Sequence, residues 1–321
     1  MINEFLNNVY DGKNNWWRYL ITIFLSWIAS NLIAAFFFVF LVFFYFIFTG
    51  NQDINIIIDF IGSYDSNIIV FFEITFLVIS FSLIFLYISV KFIHDRDFMS
   101  LINISRKYDE FSGKAISLVN RIRWGLVLKG ALIWLSFLLI ILLISFSLNP
   151  EIFYLNLNIE NFYLVIFLFL LAIPIQVLFE ELFFRGYLIQ GLSIKIKSPI
   201  IVILISSIIF SLGHILNGGS DPIFMITNIV DTFIVGMILC VATLATNGIE
   251  WAVGAHFANN FFAFLITSSE GSIGSFETMI QTTVAPDPLL DLIVSTITLL
   301  IFAGILFFYK KEKILRGLGI N

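Results

Sequence analysis

Gln176-Val177-Leu178-Phe179-Glu180-Glu181-Leu182-Phe183-Phe184-Arg185-Gly186 sets two adjacent carboxylates inside an apolar run that begins near Phe162. An ionised carboxylate costs several kcal/mol to remove from water unless it is paired, so the pair calls for partners. On a helix advancing ~100° per residue, neighbours point apart and residues four apart share a face. Glu181 and Arg185 are four apart with the glutamate N-terminal, the better order for a helical ion pair. Glu180 has no such partner and shares its face with Gln176 and Phe184. One carboxylate is therefore neutralised within its own helix, and the other is left to meet groups from other helices.

The surrounding composition makes those helices membrane helices. Of 321 residues, 60% are hydrophobic and 12% charged, and the mean hydropathy is +1.01. This excludes an ordinary soluble domain and predicts an all-α, polytopic membrane helix bundle. No basic tract is long enough for nucleic acid. Cys240 is the only cysteine, so neither an intramolecular disulfide nor a cysteine metal site can form. Membrane lipids are the expected surroundings.

Eight apolar runs approach the ~20 residues needed to cross a bilayer. They lie near Tyr19–Thr49, Val70–Ile93, Leu126–Leu148, Phe162–Phe184, Ile200–Leu216, Ile223–Thr246, Trp251–Thr267 and Leu289–Tyr309. The first is too long for a signal-peptide core and reads as an uncleaved span behind an interfacial Trp16-Trp17-Arg18 collar. Between the first two spans runs a polar loop with Asp53, Asp59 and Asp65, whose Ile54–Ile61 part lies on the membrane surface. Residues 94–125 form a charged linker, expected as one or two amphipathic helices because Phe98, Leu101 and Ile102 share a face.

With the N-terminus placed in the cytoplasm, all 17 Lys and Arg fall on the inner side. The outer loops carry acids such as Glu151, Glu160, Asp221, Glu270 and Glu277. The positive-inside rule then puts both termini in the cytoplasm. Three regions follow: residues 1–161 with the linker at 94–125, a helical core at 162–268, and residues 269–321 with an outer loop, the last span and a basic tail.

Of the three histidines, His94 stands beside Asp95, Arg96 and Asp97 at a span end and reads as solvated. His214 closes Phe210-Ser211-Leu212-Gly213-His214, and His256 opens His256-Phe257-Ala258-Asn259-Asn260. Imidazole within an apolar span is uncommon and usually faces the bundle interior. His256 and Asn260 are four apart and offer two polar heads to one spot. Singly, each histidine reads equally well as an interhelical hydrogen bond. With Glu180, three spans contribute polar groups, and one shared site is the simplest reason.

Hydrolysis fits that set. A buried glutamate can serve as general base towards water, and neutral histidine with an asparagine amide can orient the water or donate to an oxyanion. A divalent metal such as zinc is the other option, with Glu180, His214, His256 and Asn260 as its ligands. No HExxH pair and no Gly-x-Ser-x-Gly elbow is present. Asp231, with Asn228 one turn before it, is either a support for the site or an interhelical hydrogen bond. Glu250 precedes a helix start, where negative charge is favourable. Glu73 and Lys129 fall near span ends, within reach of the interface.

The order EExxxR, FxxxH, HxxxN on successive spans resembles the CAAX protease and bacteriocin-processing family (CPBP, also called Abi), which includes the type II CAAX prenyl endopeptidases. The matching residues are Glu180, Glu181 and Arg185, then Phe210 and His214, then His256 and Asn260, within about Ile173 to Phe264. The resemblance implies an intramembrane endopeptidase acting on a membrane-associated peptide or protein, prenylated at its C-terminus or bacteriocin-like. It implies Glu180 as the activator of water, His214 as holder of that water or of the substrate carbonyl, and His256 with Asn260 completing the site. Glu181, Arg185 and Phe210 would be supporting residues. Members are classed as metalloproteases, while the residues alone also allow a metal-free glutamate mechanism. Bacterial members are linked to bacteriocin self-immunity, so a non-catalytic membrane partner is the alternative function. A proton-coupled transporter using Glu180 and Asp231 is a third, disfavoured by the lack of an evident inverted repeat. The expected setting is the plasma membrane of a prokaryote.

One difficulty is visible in the sequence. His214 lies far along its span towards the outer side, whereas His256 sits near the inner start of its own. The site closes only if the fifth span begins in the cytoplasm, tilts or breaks, or if the fourth helix runs on through Gly186 towards Lys195.

Overall fold

The computed structural model describes residues 3–50, 55, 68–104, 106–108, 115–117, 122–156, 162–215, 222–268, 278–283 and 287–320. Each of the eight apolar runs forms a helix, and the fold is an all-α polytopic bundle. Among the described residues, six helices are long and apolar enough to cross a membrane: α1 (Trp16–Thr49), α2 (Val70–Ile93), α3 (Trp124–Leu148), α4 (Phe162–Ser193), α6 (Pro222–Thr246) and α8 (Pro288–Gly317). The fifth and seventh are shorter, α5 (Pro199–Leu212) and α7 (Glu250–Phe261), which continues as a π-helical turn over Phe262–Ile266. The acidic positions Asp53, Asp59, Asp65, Glu160, Asp221, Glu270 and Glu277, and the Ile54–Ile61 segment apart from Asn55, lie outside the described residues.

Helices α4 and α6 form the interior, with 33% and 39% of their most apolar windows buried against 6% in α3. A lipid-facing helix has no need of a polar side, which is why α1 leaves Phe36, Phe40, Phe44 and Phe48 exposed. The N-terminal half of α4 packs Val165, Phe169 and Ile173 against Phe72 of α2 and Leu265 beyond α7. Its C-terminal half packs Phe179, Leu182, Phe183 and Phe184 against Val202, Ile203 and Phe210 of α5 and Cys240 and Leu244 of α6. A third cluster joins Trp134 of α3, Ile238 and Leu239 of α6, Ala255 of α7 and Phe302 of α8.

Proline and a change of helical pitch mark α4 at its functional stretch. Pro174 sits inside the helix, where it cannot donate to the carbonyl four residues earlier. From Glu181 to Leu188 the winding becomes π-helical, a local widening often found at functional sites. Ser206 Oγ of α5 donates to the Phe184 carbonyl there at 3.1 Å.

The linker corrects the expected amphipathic helices. Its described residues make a 3-10 turn, Phe98–Leu101, capped by the Asp97 side chain accepting from the Met99 amide, and an antiparallel pair of short strands, β1 (Arg106–Tyr108) and β2 (Ala115–Ser117). The apolar face read from the sequence is nevertheless buried, at Leu101 and Ile102. The chain extends after Ile102 because its carbonyl accepts from the Ile249 amide at 2.8 Å and Asn103 bridges Gly248. Outside the helices, β3 (Phe153–Leu155) pairs antiparallel with β5 (Ile280–Thr282), and β4 (Thr267–Ser268) pairs parallel with β5.

His94 is also a correction, since it is 2% exposed rather than solvated. Its Nδ1 donates to the Lys13 carbonyl at 2.9 Å, and its Nε2 lies 2.9 Å from the Tyr187 hydroxyl. The segment before α1 folds across this end of the bundle and buries Phe5, Leu6 and Val9. Asn3 Nδ2 donates to the carbonyls of Leu244 and Gly317.

Candidate active site

The depth difficulty is resolved by the lengths of α4 and α5. Helix α4 runs 13 residues past Glu180 to Ser193, and α5 returns from Pro199, so His214 lies 15 residues along the antiparallel neighbour. At ~1.5 Å per residue these distances nearly match. The fourth helix does continue through Gly186, as one of the sequence options required.

Glu180, His214 and His256 meet. Glu180 Oε2 is 3.8 Å from His214 Nε2 and 3.7 Å from His256 Nε2. Its other oxygen, Oε1, accepts from Gln176 Nε2 at 3.1 Å. Oε2 itself is buried and takes no hydrogen bond. Because Gln176 occupies one oxygen, the remaining one is aimed at the two imidazoles.

The ring tautomers follow from the partners of Nδ1. His214 Nδ1 lies 2.8 Å from the Phe210 carbonyl, which can only accept, so Nδ1 carries the proton. His256 Nδ1 lies 2.7 Å from Glu181 Oε1, and the carboxylate imposes the same choice. In the neutral rings both Nε2 atoms therefore present lone pairs towards Glu180 Oε2. Three acceptor atoms then lie close together, with Oε2 within 3.8 Å of both ring nitrogens.

Glu181 does more than its spacing suggested. It accepts from Arg185 Nη1 at 2.9 Å, with both side chains fully buried, and holds His256 as well. The His256 ring thus lies between the two adjacent carboxylates, bonded to Glu181 through Nδ1 and 3.7 Å from Glu180 at Nε2. Phe210 is the spacer: the Arg185 guanidinium lies 4.0 Å from its ring centroid, and the rings of His214 and His256 lie 4.5 and 6.1 Å away. Asn228 Nδ2 donates to the His214 carbonyl and fixes the end of α5.

Asn260 is 9% exposed and lies on α7 one turn after His256. Its Oδ1 is 3.5 Å from Asn259 Nδ2. Asp231 is not drawn to this site; its carboxylate accepts from Ser295 Oγ of α8 at 2.7 Å, so the interhelical reading holds. Glu250 sits in the first turn of α7 and is paired with Arg123, with Asn103 Nδ2 donating to it at 2.7 Å.

Residues 161–262 match the family model for type II CAAX prenyl endopeptidase Rce1-like proteins. This core is Rce1-like. A Bacillus subtilis (strain 168) protein described as "Uncharacterized protein YyaK" is 25% identical over 314 residues, covering 97% of this chain and 98% of its own. No solved structure matches the chain. The matched segment is thus similar to the type II CAAX prenyl endopeptidases, within an integral membrane protein whose helices are long and apolar enough to cross a bilayer.

Among the described residues no group of three or more His, Cys, Asp or Glu forms a ready metal site. The donor types at the centre of the Rce1-like core nevertheless suit a divalent cation. Two imidazole Nε2 lone pairs and one carboxylate oxygen converge, and each imidazole is oriented through Nδ1 by an acceptor, as metal-bound histidines are. Their 3.7 and 3.8 Å separations are somewhat wider than the ~3.4 Å between neighbouring ligands of four-coordinate zinc.

Gln176 and Asn259 are the polar neighbours whose roles the sequence did not yield. Gln176 was legible only as a residue on the face of Glu180. Asn259 stands next to a motif residue, and nothing in the spacing marks its contact with Trp134.

Proposed function

We propose that the protein is an intramembrane endopeptidase in which Glu180 activates the hydrolytic water. The observation that supports this most is Glu180 Oε2, buried without a hydrogen bond and 3.8 and 3.7 Å from the Nε2 atoms of His214 and His256. A water there donates one hydrogen to Glu180 Oε2 and the other to a histidine Nε2. As Glu180 takes its proton, the oxygen attacks the scissile carbonyl carbon. The C–N bond then breaks, and the protonated Glu180 returns its proton to the departing amine. Asn260 supplies a side-chain N–H to the developing oxyanion. Glu181 and Arg185 keep His256 in place, and Phe210 separates the guanidinium from the reacting centre.

Glu180, His214 and His256 would also hold a divalent cation such as Zn2+, which when bound supplies Lewis-acid polarisation of the carbonyl or the water. The substrate is a membrane-associated peptide or protein, with a prenylated C-terminus the form that the family description favours. The distribution of all 17 Lys and Arg supports placing both termini in the cytoplasm, in the plasma membrane of a prokaryote.

The test is cleavage of a farnesylated, internally quenched CAAX peptide by purified protein in lipid vesicles. Glu180→Gln keeps the shape and hydrogen-bonding reach of the side chain and removes the base. It is expected to lower the rate about 100-fold or more, in the range typical of a lost general base. An unchanged rate in a folded variant overturns the mechanism. A zinc chelator is expected to leave the wild-type rate within about twofold; loss on chelation with recovery on added Zn2+ assigns the chemistry to a metal instead.

A further inference from the structure

We infer that Trp134 and Asn259 are positioning residues that set which end of the Asn260 amide faces the reaction. This rests on the role proposed for Asn260 and goes beyond it, because Trp134 belongs to α3, outside the Rce1-like segment 161–262.

Donor and acceptor chemistry fixes the direction of the chain of contacts. An indole N–H can only donate. Trp134 Nε1 lies 3.2 Å from the Asn259 side chain, so the atom facing it is the acceptor, Oδ1. The Asn259 amide nitrogen must then point the other way, and it lies 3.5 Å from the Asn260 side chain. That neighbour must in turn present its own acceptor, Oδ1. Asn260 Nδ2 is left directed away from Asn259 and available on the helix face that carries His256. A donor-only group at the start of the relay thus selects a donor at its end.

The geometry that holds Trp134 in register is equally specific. Trp134 is 1% exposed and lies one turn beyond Gly130. A Cβ at Gly130 would stand 2.1 Å from the Trp251 carbonyl oxygen, and one at Gly254 would stand 1.9 Å from the Val127 carbonyl oxygen. Helices α3 and α7 therefore touch backbone to backbone, one turn from the indole. Phe137 and Phe302 pack edge-on against the ring, with centroids 6.2 and 5.4 Å away.

The experiment compares Asn259→Asp, Asn259→Ala, Trp134→Phe, Asn260→Ala and the Trp134→Phe/Asn259→Asp double variant in the farnesylated-peptide assay. The carboxylate introduced by Asn259→Asp still accepts from the indole but offers only acceptors to Asn260, favouring the reversed amide. This variant is expected to lower kcat about tenfold or more with KM within twofold, approaching Asn260→Ala. Trp134→Phe is expected to lose about threefold, and the double variant to be no worse than Asn259→Asp alone. If Asn260→Ala is strongly impaired while Asn259→Asp matches wild type, the relay is wrong and the role of Asn260 stands. If Asn260→Ala is itself unimpaired, both fall. A readout independent of catalysis is the 15N-indole spectrum, with the Trp134 resonance identified by its loss in Trp134→Phe. Its protection from deuterium exchange is expected to survive Asn259→Asp and to drop in Asn259→Ala; unaltered protection in the alanine variant overturns the relay.

Discussion

Glu181 is the residue at which stability and chemistry are hardest to separate. It is fully buried, pairs with a fully buried Arg185 and accepts from His256. Breaking a buried pair from one side leaves the other charge stranded, at a cost of about 3–5 kcal/mol. Glu181→Gln is therefore expected to lower thermal stability markedly in detergent and to abolish cleavage, whereas Glu180→Gln is expected to spare stability. Parallel melting curves of the two variants check this, and equal melting temperatures would contradict it. Gln176→Leu provides the converse case. It removes the hydrogen bond that turns Oε2 of Glu180 towards the imidazoles, and a loss of about tenfold in kcat is expected with little change in melting temperature.

At the scale of elements, what could be read from the sequence was periodicity and spacing. Glu181 with Arg185, and His256 with Asn260, are four apart on one helix, so their shared faces were legible without coordinates. The contact between His256 Nδ1 and Glu181 was not, because it depends on how α7 crosses α4. The early end of α5 was hidden for another reason: hydropathy registers an apolar run, not the length over which the backbone is helical. The linker misled because Phe98, Leu101 and Ile102 share a face whether they form a long helix or a single 3-10 turn. The backbone bond from Ile249 to Ile102 decides it. The crossing of α3 and α7 makes its own prediction. Gly254→Ala forces a Cβ to within 1.9 Å of a carbonyl oxygen, so α3 must shift. Both melting temperature and cleavage are expected to fall, while Gly304→Ala, where a Cβ meets nothing within 4 Å, is expected to leave both near wild type.

The whole molecule has a pH-sensitive joint at its basic end. Burial holds the His94 imidazole down to about 4, with the Arg96 charge acting in the same direction against the favourable bond to the Lys13 carbonyl. The unfolded chain takes up this proton nearer the ordinary value of about 6.5. The unfolded state therefore binds more protons between those values, and stability falls as pH drops through that window. His94 contributes fully above about pH 6.5 and progressively less towards pH 4. Thermal melts of wild type and His94→Gln between pH 7.5 and 4 are expected to converge as the pH is lowered. A constant gap would show that this imidazole does not titrate with unfolding.

Asn3 clasps the carbonyls of Leu244 and Gly317, stretches of chain made far apart in time during synthesis. Phe5 and Leu6 pack in the same cluster as Leu244 of α6. This latch at the basic end of the bundle can therefore close only once residue 317 has been made, joining the first part of the chain to the last.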